Sequence, residues 1–396
     1  MRSSIIIVCI FLFICVLPDI FLYRKVILRT NRNWLKKLYW VVSVLFYLGI
    51  ICLFAALPHA HSESLLQVFI WFNWLLLTIY LPKLLFSIFL GIDKAFTYLF
   101  HFRIHPFSYL GGVFACLLFI GFIYGALIGR FDVELKRVTV TCDSLPPAFD
   151  GLKIVQISDL HVGSQSPKST FWAKEVQQIN AEHPDLVVMT GDMIDNYASE
   201  LNPNVVNTLS HLQAKSGKFS ILGNHDYGDY SHWPTAEAKK ANLDSLKQRE
   251  KRMGFRLLTD EHLFITKQSD TLVIAGVQNW SKPPFHCYGN LSKAVKGTER
   301  FPFVLLLSHD PNHWMAQVVN YPNIRLMLAG HTHGMQLGIN HFGIHWSPAQ
   351  WMFKQWDGLY HYQNKDLYVN RGLGYIGVPL RLGMPPEITV LTLRKK

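Results

Sequence analysis

Five short polar blocks carry most of the chemistry this 396-residue chain could perform. They are Ser158-Asp159-Leu160-His161, Gly191-Asp192-Met193-Ile194-Asp195, Gly223-Asn224-His225-Asp226, Ser308-His309-Asp310 and Gly330-His331-Thr332-His333. Together they supply aspartate, histidine and asparagine side chains in the numbers a two-metal hydrolytic centre needs. Carboxylate and imidazole suit divalent zinc, manganese or iron. Two such ions about 3.5–4 Å apart can clamp both the attacking and the leaving oxygen of a phosphoryl transfer. Any one block reads equally well as a satisfied loop residue. Five in order, each at a strand's end, specify a site.

The positioning elements are legible around them. Leu152 to Ile157, Leu186 to Met189, Phe219 to Leu222, Phe303 to Leu307 and Ile324 to Leu328 are short apolar runs with turn residues beyond. Their length and punctuation predict buried strands rather than helices. Ligands of layered α/β folds gather at the carboxyl ends of strands, where loops present polar groups. Gly191, Gly223 and Gly330 each precede a candidate ligand, where glycine permits a sharp turn or a close backbone approach.

The order Asp-x-His, Gly-Asp-x-x-Asp, Gly-Asn-His-Asp, His, Gly-His-x-His resembles the signature of the calcineurin-like metallophosphoesterases, specifically their membrane-associated bacterial branch. The tail from Tyr368 to Gly374, with Pro385-Pro386-Glu387-Ile388 after it, is similar to that branch too, and the resemblance covers roughly Gly151 to Leu393. It implies that Asp159, His161 and His333 hold one metal, that Asn224, His309 and His331 hold the other, and that Asp192 bridges them. It further implies His225 as general acid, oriented by Asp195. The chemistry agrees, since an imidazole of near-neutral pKa suits protonation of an alkoxide. Asp226 reads either as part of the site or as a turn-stabilising aspartate. Met335 departs from the pattern, standing where relatives usually place a second glycine. Its side chain is expected to narrow the pocket.

Residues 1–129 read as a membrane domain. Apolar segments at about 5–23, 38–57, 65–82 and 109–129 predict four transmembrane helices, with an interfacial helix at about 84–104 after Pro82. A signal peptide is the alternative for the first, but no small-x-small cleavage site follows it. The connection between the first two spans carries Arg24, Lys25, Arg29, Arg32, Lys36 and Lys37 without an acid, and the third carries Lys83, Lys94 and Arg103. The loop from Pro58 to Ser64 has neither lysine nor arginine. The positive-inside rule then predicts a multi-pass cell-membrane protein with its catalytic domain on the outer, periplasmic or extracellular, side.

The net charge of +11 divides unevenly: residues 1–129 hold ten Lys/Arg against three Asp/Glu, and the remainder 28 against 24. Much of the basicity thus belongs to the membrane connections, and neither a basic face with interleaved aromatics nor a known fold supports nucleic-acid binding. The basic residues of the Ala236 to Met253 helix read as a solvated face, with anionic lipid as the functional alternative. Of six cysteines only Cys142 and Cys287 fall outside the spans, and they could pair in an oxidising compartment.

Residues 130–396 read as an α/β two-sheet sandwich flanked by helices, which the resemblance also implies. Thr271 to Val277, Leu367 to Asn370 and Ile388 to Leu393 are assigned to its second sheet. Ser169 to Asn180, Val205 to Gln213 and Ala236 to Met253 are the helices. The segment from Phe342 to Trp356 carries a large aromatic load, with Trp351 and Phe353 as candidate acyl-chain contacts. Arg371 and Arg381 could clamp a headgroup phosphate or pair with carboxylates. The resulting expectation is a membrane-anchored enzyme with two divalent metal ions, hydrolysing a phosphoester or pyrophosphate bond of a phosphorylated or nucleotide-linked lipid. A UDP-2,3-diacylglucosamine-type pyrophosphatase is the enzymatic alternative, though its substrate would be cytoplasmic. A non-catalytic metal-binding sensor or scaffold is the alternative of another class. A transporter is disfavoured because the spans show no obvious buried charge.

Overall fold

The computed structural model describes residues 2–56, 63–101, 104–165, 170–283, 285–341 and 343–396. Arg103, Ser169, Phe342 and most of the Pro58 to Ser64 loop therefore lie outside the described residues. The chain forms two compact units, Met1–Leu127 with Gly377–Pro379, and Ile128–Ile376 with Leu380–Lys396.

The first unit consists of α1 (Arg2–Lys25), α2 (Asn33–Ala56), α3 (Glu63–Phe100) and α4 (Pro106–Leu127). Among the described residues, Asn33–Ala55, Leu65–Phe100 and Pro106–Phe131 are long and apolar enough to cross a bilayer. A helix suits that solvent because it satisfies its own backbone groups. One expectation is corrected: separate helices at 65–82 and 84–104 are replaced by the single 38-residue α3, which runs through Pro82. A proline deletes one backbone bond, and packing against neighbouring helices can hold the remainder. Here Lys83, the next residue, is clamped to Asp19 of α1 at 2.8 Å. The hydroxyls of Tyr39, Tyr47 and Tyr80 also donate to Asp19, at 2.8, 2.6 and 2.9 Å. The spans therefore do contain a buried charge, one whose oxygens are filled by donors from α1's two neighbours.

Among its described residues the second unit has fourteen strands, β1 (Glu134–Cys142), β2 (Lys153–Ile157), β3 (Leu186–Met189), β4 (Lys218–Ser220), β5 (Phe255–Leu257), β6 (Glu261–Lys267), β7 (Asp270–Gly276), β8 (Val304–Leu307), β9 (Ile324–Ala329), β10 (Ile339–His341), β11 (Ile344–Trp346), β12 (Gly358–Tyr362), β13 (Lys365–Val369) and β14 (Glu387–Lys395). One sheet has the order β1-β14-β2-β3-β4-β5, the other β12-β13-β9-β8-β7-β6, and β10-β11 is a separate hairpin. The helices α5 (Phe171–Ala181), α6 (Pro203–Ser210) and α7 (Ala236–Arg252) contribute residues to the core on the first sheet's outer face. Side chains alternate as a pleated strand requires. Ile154, Leu186 and Val188 enter the core between the sheets with Leu305, Leu307, Leu326 and Leu328, while Val155, Val187 and Met189 face the helices. Both faces of these strands are covered, which is why they read as unbroken apolar runs.

The tail strand is a second correction. Ile388 to Leu393, assigned to the second sheet, lies within β14 of the first, parallel to β1 and antiparallel to β2. Strand pairing is non-local, and an apolar run does not encode its neighbour. Cys142 and Cys287 are both unpaired thiols.

Candidate metal centre

Because β2, β3 and β4 run parallel, as do β7, β8 and β9, the carboxyl ends within each set point one way. Asp159 and His161 follow β2, Asp192 and Asp195 follow β3, Asn224 and His225 follow β4, His309 follows β8, and His331 and His333 follow β9. Backbone bonds stitch these loops together. Asp159 N–H donates to Gly191 O at 2.9 Å, and Gly330 N–H to His309 O at 3.0 Å. Gly191 needs its missing side chain twice over: its φ is +96°, and a Cβ would stand 2.6 Å from Gly223 N. At Gly330 a Cβ would collide with the Ser158 and Asp159 side chains.

Two groups of ligand atoms converge. In the first, His333 Nε2 lies 3.3 Å from Asp159 Oδ1 and 3.2 Å from His161 Nε2. In the second, His309 Nε2 lies 3.1 Å from Asp192 Oδ2, 3.1 Å from Asn224 Oδ1 and 3.2 Å from His331 Nδ1. Asp192 Oδ2 is also 3.7 Å from His161 Nε2, so this carboxylate stands between the groups. Asp159, His161 and His333 form one cluster able to hold a metal ion, and Asp192, His309 and His331 another. All are buried except His331, which is partly so.

The donor set tests whether a cation fits. His309 Nδ1 lies 2.8 Å from Thr190 O, so that nitrogen carries its proton. Asn224 Nδ2 donates to Tyr230 Oη at 2.8 Å, which turns Oδ1 toward His309. His309 Nε2 thus faces a carboxylate oxygen, an amide oxygen and a second imidazole nitrogen. One N–H could satisfy only one of the three, whereas a cation among them serves all. Charge balance agrees. Burial pushes Asp159 and Asp192 toward neutrality, but the imidazoles of His333 and His309 respectively outweigh it and hold both well below the usual carboxylate range.

The sequence matches known proteins. The description "Probable Calcineurin-like phosphoesterase, transmembrane domain" fits residues 1–130, and "Calcineurin-like phosphoesterase" fits residues 152–335. A Bacillus subtilis protein described as "Uncharacterized metallophosphoesterase YkuE" is 32% identical over 282 residues, covering 69% of this chain and 90% of its own length. The chain belongs to the calcineurin-like metallophosphoesterases. It is a membrane-associated member, with a transmembrane domain ahead of the catalytic one. A bovine "Transmembrane protein with metallophosphoesterase domain" is 32% identical over 278 residues, and the match covers 69% of this chain but 60% of that protein. Among solved structures, the NAD nucleotidase of Haemophilus influenzae aligns with a TM-score of 0.36 at 13% identity, over 57% of this chain and 45% of that one.

Within this metallophosphoesterase several side chains differ from expectation. The Asp195 carboxylate does not reach His225 as an orienting partner. Its Oδ1 is 3.0 Å from His161 Nδ1, and its backbone carbonyl, not its side chain, lies 2.8 Å from His225 Nδ1. Arg371 is corrected from a phosphate clamp. It is wholly buried and pairs with Glu387 at 2.8 Å, with Glu134, and with Asp357 at 3.6 Å. Arg381 is likewise buried and spent, donating to His333 O at 3.0 Å, Arg371 O at 2.9 Å and Gly374 O. Phe353 is buried, with its edge 90° to the His331 ring at 5.4 Å, so it packs against a candidate ligand. Trp351 is 74% exposed.

Two acids hold the loops: Asp226, in the turn-stabilising role that is one of its two sequence readings, and Glu200, which was not expected from the sequence. Asp226 accepts the Asp192 and Gly223 N–H groups on Oδ2 at 2.9 and 2.8 Å and that of Met193 on Oδ1 at 2.9 Å. Burial and the Asp192 charge push it up to about 7. Glu200 accepts the N–H groups of Asp195, Asn196 and Tyr197 at 2.6, 2.8 and 2.8 Å. The signal for Asp226 was present in its block; Glu200 is visible as the last residue of a capping box begun at Tyr197. His225 itself is partly buried, lowered in pKa by that burial, and stacks on Tyr230 at 4.3 Å.

Proposed function

We propose that residues 130–396 form a two-metal phosphoesterase domain acting on a phosphorylated or nucleotide-linked lipid, and that residues 1–129 anchor it. The observation that carries the two-metal reading is Asp192 Oδ2, within 3.1 Å of His309 Nε2 and 3.7 Å of His161 Nε2. Asp159, His161 and His333 would hold one ion and Asn224, His309 and His331 the other, with Asp192 available to both. Manganese, zinc and iron all suit this oxygen and nitrogen set. Bound there, a divalent pair supplies Lewis-acid stabilisation of charge developing on phosphoryl oxygens. The protein's own part is positional. His225, whose Nδ1–H is tied to the Asp195 carbonyl, would in its protonated imidazolium form present the Nε2 proton to the leaving oxygen and end as neutral imidazole. The Asp195 carboxylate fixes the His161 ring, as outer groups commonly do for metal-bound imidazoles.

The lipid reading is supported by an apolar rim. On the chain directly after His331 and His333, Met335, Ile344, Trp351 and Met352 are 43, 52, 74 and 63% exposed. Exposed apolar side chains on the segment that follows the histidines would suit a contact for lipid tails or a membrane. A lipid-extract hydrolysis screen with purified full-length protein, read by mass spectrometry against Asp192→Asn, tests this. Wild type should convert a phosphorylated lipid and the variant should not. Turnover confined to water-soluble phosphoesters would remove the lipid assignment.

The charge of the first connection supports an outer catalytic domain. A cysteine replacing Asn31 should be shielded from membrane-impermeant thiol reagents in intact cells, and one replacing Asn364, which is exposed, labelled once any outer barrier is permeable. The reverse pattern would move the domain to the cytoplasm and favour a diacylglucosamine pyrophosphatase.

A further inference from the structure

A second feature lies wholly within the membrane unit and apart from the metal centre. A cavity of about 380 Å³ opens where the end of α1 meets the last third of α3 and the start of α4. Lys25, Arg29, Lys94 and His105 line it, with Phe21 and Leu90 among its apolar walls. Lys25, at the end of α1, and Lys94, in the last third of α3, line the same cavity. Among the described residues, no carboxylate stands within ion-pair distance of Lys25, Arg29 or Lys94. The cavity's single acid, Asp93, is spent elsewhere. It accepts Phe107 N–H at 3.2 Å together with the N–H and hydroxyl of Ser108, and so caps α4. Three basic side chains thus share a cleft with one committed carboxylate, and their like charges repel one another until an anion enters.

An exposed apolar stripe of α4 begins at the cavity. Tyr109 lines its edge, and Tyr109, Val113 and Leu117, on successive turns of α4, are 78, 56 and 59% exposed. A free anion has no use for such a stripe, whereas an acyl chain does. The geometry points to a binding site for an anionic phospholipid, its phosphate among Lys25, Arg29 and Lys94 and one chain along α4. Basic pockets between spans commonly bind headgroups, and each cation facing an anionic lipid is worth roughly a fivefold gain in affinity. The site is one of retention rather than turnover and does not depend on the catalytic reading.

The test uses full-length protein in a neutral maltoside detergent, mixed with micelles of dioleoyl phosphatidylglycerol or dioleoyl phosphatidylcholine and read by native mass spectrometry. Wild type should keep one phosphatidylglycerol, and about tenfold less phosphatidylcholine, since only the former carries net charge. Lys25→Gln/Arg29→Gln/Lys94→Gln should retain at least about tenfold less phosphatidylglycerol. Lys36→Gln/Lys37→Gln, which removes neighbouring charge outside the cavity, should match wild type. Unchanged retention by the triple variant, or an equal loss by the Lys36/Lys37 variant, overturns the site. Displacement of the lipid by millimolar inorganic phosphate would make it a free-anion site and overturn the lipid assignment. Should the triple variant fail to melt like wild type, Lys94→Gln alone, an exposed change, should still lose roughly fivefold, and no loss there refutes the proposal.

Discussion

Replacing Asp195 separates two roles that a shared motif would merge. Its Oδ1 is 3.0 Å from His161 Nδ1, and its backbone carbonyl, which no substitution removes, is 2.8 Å from His225 Nδ1. Asp195→Asn therefore leaves His225 held and weakens only the grip on His161. A hydrogen bond to a charged group contributes about 1.5–3 kcal/mol and a neutral one about 0.5–1.5. The exchange thus costs about 1–1.5 kcal/mol, or roughly tenfold in affinity for the ion that His161 is proposed to hold. Asp195→Ala removes the acceptor altogether and also strands Ser164 Oγ, which donates to Asp195 at 3.0 Å. Its loss should approach about a hundredfold, the upper range for outer partners of metal ligands. The assay is activity titrated with manganese or zinc after chelation, alongside metal content by elemental analysis. Saturating metal should restore most of the rate, with unchanged dependence on the leaving group. If metal affinity stays at the wild-type level while alkyl esters lose far more rate than nitrophenyl esters, the carboxylate serves His225 after all and the reasoning fails.

His225→Ala should keep both metals and lose rate by about a hundredfold or more on esters of high leaving-group pKa; equal losses on nitrophenyl and alkyl esters would exclude a general-acid role. Trp351→Ser should raise KM for a lipid substrate about tenfold, from one large aromatic at roughly 25 cal/mol per Å², while hydrolysis of a soluble phosphoester stays unchanged; parallel loss on both substrates in a folded variant would contradict the rim. Glu250 is buried, accepts a bond from Ser220 Oγ, and is raised to about 8 by burial and then by the Asp226 charge. An acid raised on folding stabilises fully only below its unfolded pKa, so stability should fall as pH climbs from about 4.5 through 8. Glu250→Gln should leave Tm near wild type at pH 5 and raise it at pH 8, by up to a few kcal/mol of stability; a pH-independent offset would refute the assignment.

How much of this was legible follows from how local each signal is. Strand positions were clear because runs such as Leu186–Met189 are buried on both faces and end at turn residues. The candidate ligands were clear because each closes such a run. What stayed hidden depends on partners far away in the chain. Asp19 lies 20 residues from Tyr39, 28 from Tyr47 and 64 from Lys83, so its network has no local signature. Arg371 and Arg381 follow the same rule. A guanidinium near a phosphate site invites the clamp reading, yet Glu134, 237 residues earlier, is one of the carboxylates that claims Arg371. Asp195 failed differently, because a motif names a residue without saying whether its side chain or its carbonyl does the orienting. The proline in α3 was overread as a break because its cost is local while its compensation is tertiary.

The residue types themselves explain why the site was readable at all. Asp159, His161, Asp192, His331 and His333 have φ of +50°, +42°, +58°, +73° and +51°, in the left-handed region. Most side chains resist this conformation by about 1–2 kcal/mol, and aspartate, asparagine and histidine tolerate it best. Aspartate and histidine therefore serve twice here: they reverse the chain straight after a strand and supply oxygen or nitrogen where the strands end. Strain of this kind, concentrated in one place, is itself a mark of a functional site. Met335 is the instructive exception. Its φ is +45°, where glycine would be at ease, and it has no polar side chain to bond locally. Its N–H donates to Thr332 O at 2.8 Å, which helps hold the turn. A strained methionine that is still 43% exposed gains little from burial in its own fold. What it adds is an exposed apolar group two residues after His333, where the proposed lipid contact would use it.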